Sequence, residues 1–184
     1  GQEMNYANLA KALEISSPTV KTYIYFLEHA FLIRRLQAYS SNAKKRLVKS
    51  PKVYIRDSGL LHYINAVYSY DDLYNNILIG NSWEGFVIEQ IYQRLPPGLK
   101  LYFYRTSDGS EIDLVFVKGN KTVAAAEIKY SSTSSLSRGN TISIKDLKSK
   151  NNFIITSRGD NYLMKDNIRV CSLIDFLNDY LPSL

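Results

Sequence analysis

The chain has 184 residues, of which 45% are apolar, so it can bury the core of one ordinary domain or of two small ones. Its formal charge of +6 favours an anionic partner, nucleic acid first and a membrane surface second. The single cysteine, Cys171, cannot form an internal disulfide, and the sequence has no Cys/His set for zinc, so a cytoplasmic location fits best. No apolar run approaches the roughly 20 residues that span a bilayer, and no signal peptide or phosphate-loop motif is visible. The sequence begins inside a helical pattern without an initiator methionine, and we therefore expect a segment to precede Gly1.

Residues 5–36, NYANLAKALEISSPTVKTYIYFLEHAFLIRRL, predict a helix-turn-helix. Apolar residues at helical spacing precede and follow the break EISSPTV, where Ser16 or Ser17 can cap the second helix and Pro18 suits its first turn. The second helix is the one that would enter a DNA major groove. Its exposed side offers candidate phosphate and base contacts: Ser17, Thr19, Lys21, Thr22 and Tyr25.

A basic strand pair is predicted next, formed by FLIRRLQAY and by RLVKSPKVYIRD. The cations between residues 34 and 56 have no acid among them, as phosphate contact requires: Arg34, Arg35, Lys44, Lys45, Arg46, Lys49, Lys52 and Arg56. Together with the two helices, this pair predicts a winged helix-turn-helix domain over residues 1–68. The alternative is a solvated hairpin on a winged helix that packs against protein instead of DNA.

Residues 69–184 predict a second domain, in the order helix, three antiparallel strands, helix, strand and helix. Its first helix, ILIGNSWEGFVIEQIYQRL, presents a broad apolar face, and we expect Glu89 to lie outside that face. The strands KLYFYRT, GSEIDLVFVKG and KTVAAAEIKYSS are joined by hairpin turns at 108–109 and 119–120. A helix over ISIKDLKSKN, a buried strand over NFIITS and a closing helix over SLIDFLNDYL complete the prediction.

Acidic side chains lie within two of these strands. In the period-two geometry of a strand, Glu111 and Asp113 share one face, and Glu127 and Lys129 share one face of the next strand. If the hairpin brings Asp113 near Glu127, carboxylates and an ammonium converge, and Glu84 could reach them from the helix. Oxygen ligands of this kind suit Mg²⁺ or Mn²⁺, and a bound metal would polarise a phosphodiester and activate a water.

Two alternatives accompany this reading of the acids. Glu111 is expected to flank the cluster, facing solvent or pairing with Arg105. The whole set could instead form cross-strand ion pairs on a wet face of the sheet, without any metal.

The residues EID and EIK, with the preceding GNSWEGFVIEQ helix, resemble the PD-(D/E)XK nuclease superfamily. The segments LAKALEISSPTVKTYIYFLEHAFLIRRL and KRLVKSPKVYIRDSGLLHYI more closely resemble the C-terminal half of a large prokaryotic family of predicted AAA-type ATPases. This resemblance implies a mixed α+β or α/β chain, with a winged helix followed by a restriction-endonuclease-like αβββαβ core. It also implies an ATPase domain upstream in the same chain and DNA as partner.

The resemblance further implies candidate catalytic roles for Glu84, Asp113, Glu127 and Lys129, with metal bound by Asp113, Glu127 and Glu84. Asp113 would be the metal-binding aspartate of the second strand, and Glu127 and Lys129 the (D/E)XK pair of the third. Ile112 stands where the literal motif has proline. The alternatives are a non-catalytic module that docks DNA or protein beside the ATPase, and a domain whose basic wing binds an acidic protein.

Overall fold

The computed structural model describes residues 1–40, 46–131, 135–159 and 161–184. The helices are α1 (Tyr6–Ala12), α2 (Ser17–His29), α3 (Ser58–Ile64), α4 (Tyr70–Tyr74), α5 (Leu78–Gln93), α6 (Arg138–Leu147) and α7 (Leu173–Asp175). The strands are β1 (Gln2–Glu3), β2 (Ile33–Leu36), β3 (Lys52–Ile55), β4 (Leu99–Arg105), β5 (Glu111–Lys118), β6 (Lys121–Lys129), β7 (Asn151–Thr156), β8 (Tyr162–Met164) and β9 (Ile168–Ser172). Helices and a mixed sheet in one chain confirm the α+β class.

Local sequence signals account for the first unit, which holds α1 to α3 and a three-stranded sheet. The Ser16 side chain accepts a hydrogen bond from the Thr19 amide, and Pro18 lies in the first turn of α2, so this helix begins where the sequence predicted. Strands β2 and β3 pair antiparallel, and the short β1 adds to the other edge of β3. The predicted boundary at residue 68 falls between α3 and α4.

A six-stranded sheet in the order β4-β5-β6-β7-β9-β8 forms the centre of the second unit. Strands β4, β5 and β6 are antiparallel neighbours, whereas β7 and β9 run parallel to β6. The sequence patterns predicted β4 to β7 but not β8 or β9. IRVCS, the sequence of β9, is short and carries an arginine, and its partner β7 is distant along the chain, so no local pattern identifies it.

Both faces of the sheet are covered, which explains why β5 is apolar over most of its length. Helix α5 packs on one face through Val87, Ile88 and Ile91, with Leu114 and Phe116 of β5 in the same cluster. The other face packs on α6 through Leu147. Among the described residues, no helix has the length and apolar content needed to cross a lipid bilayer.

The expectation that Glu89 lies outside the apolar face of α5 is wrong, because only 6% of this residue is exposed. Helix α5 contacts the sheet on one side and the strands of the first unit on another, so it has more than one buried face. Glu89 lies on the second of these, where Arg34 and Arg56 neutralise its charge. A single amphipathic pattern cannot reveal a second buried face that consists of ion pairs.

Candidate functional site

A polar cleft of about 590 Å³ lies where α5, β5, β6 and α6 meet strand β3 of the first unit. Its walls include all four side chains that the sequence singled out as candidate catalytic residues: Glu84, Asp113, Glu127 and Lys129. The fold therefore brings these four residues together. Lys52, Glu111 and Asn140 also line the cleft. Glu111 was expected to flank the acids, whereas Lys52 and Asn140 were not expected there.

Asp113 enters the cleft from an irregular point of β5. The β4–β5 register shifts between Tyr102 and Tyr104, so that Asp113 and Leu114 together lie opposite Phe103. Such a bulge lets Asp113 face the cleft while Leu114 belongs to the buried core beside it. The Asp113 Oδ2 atom accepts a 2.9 Å hydrogen bond from the Ile128 amide, which fixes the carboxylate against β6.

Glu127 lies beside Asp113, because the antiparallel register that pairs Leu114 with Ala126 continues towards these two residues. Its Oε2 atom accepts a 2.9 Å hydrogen bond from Asn140 Nδ2, and Lys129 Nζ lies 3.8 Å from its Oε1 atom. Asn140 also donates to the Glu111 carbonyl and forms a capping box with Ser137. The start of α6 is therefore tied to both carboxylate-bearing strands.

Lys52 places its ammonium among the carboxylates of the cleft. Its Nζ atom lies 3.2 Å from Glu84 Oε1 and 3.5 Å from Asp113 Oδ1, and it also forms an ion pair with Glu111. The Tyr54 hydroxyl donates a 2.6 Å hydrogen bond to the same Glu84 oxygen. Glu111 additionally pairs with Arg105 at 3.5 Å. The N-terminal unit thus supplies the cation that the acids of the second unit share.

The charges of the cleft shift the pKa values of its members in opposite directions. Burial and the charge of Glu84 raise the pKa of Asp113 to about 6. Burial and the charge of Asp113 raise the pKa of Glu127 to about 9. Burial also opposes ionisation of Glu84, but Lys52, the amino group of Gly1 and the Tyr54 hydroxyl outweigh it and lower the pKa of Glu84.

The pKa of Lys52 follows the same competition. Burial would lower it, but the negative charges of Glu84, Asp113 and Glu111 outweigh burial and hold the pKa above its ordinary value. Lys52 is therefore charged at neutral pH, and Glu127 is the acid in the cleft that most favours its protonated form.

The arrangement as it stands does not fit a divalent metal ion. Within the described part of the chain, no three His, Cys, Asp or Glu side chains are grouped so that they could hold one. Magnesium requires oxygen ligands at about 2.0–2.1 Å, and here the Lys52 ammonium lies between the carboxylates of Glu84 and Asp113. The binding of Mg²⁺ or Mn²⁺ to Asp113, Glu127 and Glu84 stays a prediction.

The candidate DNA contacts on α2 are partly engaged within the helix. The Thr19 hydroxyl lies 2.8 Å from the Ser16 hydroxyl, and Thr22 donates to the Pro18 carbonyl at 3.2 Å. Ser17 is half-buried, whereas Lys21 is exposed and lies 5.6 Å from the centre of the Tyr6 ring. Lys21 is the one Lys or Arg side chain of α2, and it is exposed.

The predicted basic wing divides into paired and accessible cations. Arg34 Nε donates to Glu89 at 2.8 Å, and Arg35 pairs with Glu28 while its guanidinium lies over the Tyr25 ring. Arg46 and Lys49 are exposed. Lys44 and Lys45 lie outside the described residues.

Lys52 and Asn140 are the site residues that sequence reasoning missed. Lys52 was grouped with the basic wing, and its alternation with Tyr54 on a short strand was the only available sign that it points inward. Asn140 follows Ser137 at the spacing of a capping box, a signal that locates a helix start but not its contact with Glu127.

Residues 79–176, more than half of the chain, match the family model described as "Domain of unknown function (DUF4143)". The chain belongs to this DUF4143 family. Residues 1–71 match a second model, described as "Domain of unknown function (DUF8612)". Nearly all of α5, strands β4 to β7 and most residues of the cleft fall within the DUF4143 match. Lys52 falls within the DUF8612 match.

Two relatives of this DUF4143 chain are uncharacterized proteins of mycobacteria, Rv2008c of Mycobacterium tuberculosis and Mb2031c of Mycobacterium bovis. Each is 38% identical over 148 residues, which cover 80% of this chain and 33% of the relative. The chain spans about a third of the length of these curated relatives. No solved structure matches it significantly.

Proposed function

We propose that this chain is a DNA-binding C-terminal region of a larger ATPase-type protein, composed of a winged helix and a nuclease-like unit. The observation that carries the proposal is the exposure of three cations of the first unit: Lys21 on α2, and Arg46 and Lys49 in the segment before β3. An exposed lysine on the second helix of a helix-turn-helix suits phosphate contact.

The winged helix is supported by the order of the first elements. Two helices with a short turn precede the antiparallel pair β2 and β3, which is the order expected for such a domain. The exposed side of α2 carries Lys21, Thr22 and Tyr25. The N-terminal part of this helix would then enter the major groove and the strand pair would lie along the backbone.

The nuclease-like unit is supported by α5, the antiparallel strands β4 to β6, the helix α6 and the parallel strand β7. This is the αβββαβ order implied by the sequence resemblance. The link to an ATPase is supported by the family, since DUF4143 is commonly found with AAA ATPase domains. The length of the mycobacterial relatives leaves room for such a domain.

Phosphodiester hydrolysis is the second candidate function, and the convergence of Glu84, Asp113, Glu127 and Lys129 on one cleft favours it. In this reading water attacks the phosphorus, the Asp113 carboxylate accepts a proton from that water, and the Lys129 ammonium stabilises negative charge on the phosphate while the ester oxygen leaves and takes up a proton from solvent. The Lys52 ammonium occupies the carboxylate cluster, so this arrangement supports no metal-dependent step. Without cleavage, the same cleft would serve an interaction module that docks DNA or protein.

The proposal is tested by fluorescence anisotropy with a labelled DNA duplex at several salt concentrations. We expect binding that weakens steeply with salt, because phosphate neutralisation releases counterions. Undetectable binding at low salt would overturn the DNA-binding function and favour an acidic protein partner. Incubation of the same duplex with Mg²⁺ or Mn²⁺, with Asp113→Asn as control, separately decides the phosphodiesterase: cleavage by the wild type alone supports it, and no cleavage favours the non-catalytic module.

A further inference from the structure

The segment between β2 and β3, which the sequence predicted as part of the wing, is bonded to the second unit. The Tyr39 amide donates to the Phe103 carbonyl at 2.7 Å, and the Val48 amide donates to the Arg105 carbonyl at 3.0 Å. Strand β4, which accepts both hydrogen bonds, is the edge strand of the six-stranded sheet. The described parts of this segment are therefore fixed along that edge, and its cations lie at the surface of the second unit.

The turn between β4 and β5 connects this segment to α6. The Ser107 amide, at the start of the turn, donates to the Arg46 carbonyl at 3.0 Å. At the end of the turn, the Cα atom of Ser110 lies 3.4 Å from the place that a Cβ atom of Gly139 would occupy. Arg46 of the first unit and Arg138, the neighbour of Gly139 in the chain, therefore flank one turn.

Helix α6 directs two cations away from the sheet. Its buried residues are Asn140, Ser143 and Leu147, which share one side of the helix. At about 100° per residue, Arg138 and Lys145 lie on the opposite side. Both residues are exposed, and their spacing along the chain corresponds to about 10 Å along the helix axis. The outer side of α6 thus continues the cationic surface that begins at the turn.

We propose that Arg46, Arg138 and Lys145 form one surface that binds the phosphates of duplex DNA across both units. This assignment rests on the DNA-binding function proposed above and deepens it, because it places DNA against the second unit as well as against α2. Cations on anchored backbone suit phosphate contact, since each one releases a counterion of the DNA. None of the exposed large apolar side chains among the described residues lies on α6, so this surface lacks the apolar centre of a typical protein interface.

The proposed surface adjoins the polar cleft. Ser137 and Asn140 at the start of α6 line that cleft, and Asn140 donates to Glu127. Arg138 lies between these two residues in the chain but is exposed. DNA held on the outer side of α6 would therefore pass the mouth of the cleft that the second candidate function uses.

Two acids near the surface differ in their engagement. Asp146 of α6 accepts a 3.3 Å hydrogen bond from the Tyr104 hydroxyl, so its carboxylate contacts the sheet. Asp108 lies exposed in the turn between β4 and β5. A phosphate bound beside this turn would be repelled by Asp108, because like charges placed side by side oppose binding.

The test is fluorescence anisotropy of the 184-residue chain with a labelled DNA duplex, measured at several salt concentrations. We expect Arg138→Gln and Lys145→Gln each to weaken binding several-fold and to reduce the slope of log affinity against log salt by about 1. Lys165→Gln is the matched control, since Lys165 is exposed beside β8 at the opposite edge of the sheet. It should bind as the wild type does.

A gain of binding keeps the test decisive if a loss variant folds poorly. Asp108→Asn removes the acid from the turn, and asparagine before Gly109 suits the same kind of turn. We expect this variant to bind the duplex several-fold more tightly at low salt. Damage to the fold would not produce such a gain.

The outcomes separate this surface from the proposed function. Losses in Arg138→Gln and Lys145→Gln, with a gain in Asp108→Asn, support the surface. Duplex binding that none of these three variants changes overturns the surface and leaves DNA binding to the first unit. Absence of duplex binding by the wild type overturns both. Tighter binding of a labelled poly-glutamate peptide than of the duplex, weakened by the same loss variants, would overturn DNA as the partner and assign the surface to an acidic protein.

Discussion

Arg56 Nη2 lies 2.6 Å from Glu89 Oε1. A cation of the first unit therefore forms an ion pair with a nearly buried carboxylate of the second unit. Arg34 binds the other oxygen of the same carboxylate at 2.8 Å. The two guanidiniums therefore join β2 and the segment after β3 to α5. Cations that a sequence would assign to a DNA surface here stabilise the contact between two units.

Replacing the shared carboxylate should weaken that contact. We expect Glu89→Gln to lower the free energy of unfolding by roughly 2 kcal/mol, because hydrogen bonds to charged groups are lost in a nearly buried site. Urea denaturation measures the change. Gln93→Ala, at an exposed position on the same helix, is the control and should stay within about 0.5 kcal/mol of wild type; an equal loss in both variants would argue against the interpretation.

DNA binding should distinguish accessible cations from paired ones. We expect Lys21→Ala and Lys49→Ala each to reduce the slope of log affinity against log salt by about 1, because each removes one phosphate contact. Arg34→Ala should chiefly lower stability, since its guanidinium is bound to Glu89. Exposed Lys150, in the second unit, provides the control. If Arg34→Ala and Lys21→Ala changed the slope equally, the division into paired and accessible cations would be wrong.

The stability of the chain should fall as pH rises through the range set by Glu127. Its pKa is raised from an ordinary 4.5 to about 9 by burial and by Asp113. Between these values the folded state binds more protons than the unfolded state, so the free energy of unfolding decreases with pH. Asp113, with its pKa raised to about 6, contributes to the same decline at lower pH.

Glu127→Gln should therefore flatten the upper part of this decline. Urea denaturation at several pH values from about 5 to 9 checks it, and we expect the variant to gain stability relative to wild type towards the alkaline end. Asp179→Asn, at an exposed site, should leave the profile unchanged. A Glu127→Gln profile parallel to wild type would show that this carboxyl titrates near its ordinary value.

Two glycines should respond to alanine in opposite directions. Gly80 lies within α5, and an added Cβ would have no neighbour within 4 Å, so Gly80→Ala should stabilise the chain by about 0.5–1 kcal/mol. Gly119 has a φ of +60° in the turn between β5 and β6, and alanine there should cost about 1–2 kcal/mol. Thermal unfolding of both variants tests the pair, and changes of the same sign would contradict it.

Local sequence determined where α2 begins and where the turns between β4, β5 and β6 lie. The cap at Ser16 and the proline after it place the start of α2, and glycines at 109 and 119 lie at the turns that join three antiparallel strands. The alternation of Glu111 with Asp113 and of Glu127 with Lys129 placed the members of each pair on one face of their strand. These features depend on neighbours within a few residues, which a pattern can read.

Only the tertiary structure decided which charges meet. The bulge opposite Phe103 lets Asp113 face the cleft. The packing of β3 against α5 and β5 places the Lys52 ammonium beside Glu84 and Asp113, which are distant from it in the sequence. The same packing buries Glu89, which a single helical periodicity placed outside. Whether a lysine meets solvent, DNA or a carboxylate depends on long-range contacts, and the alternation of Lys52 with Tyr54 shows only that the two side chains share a face of β3.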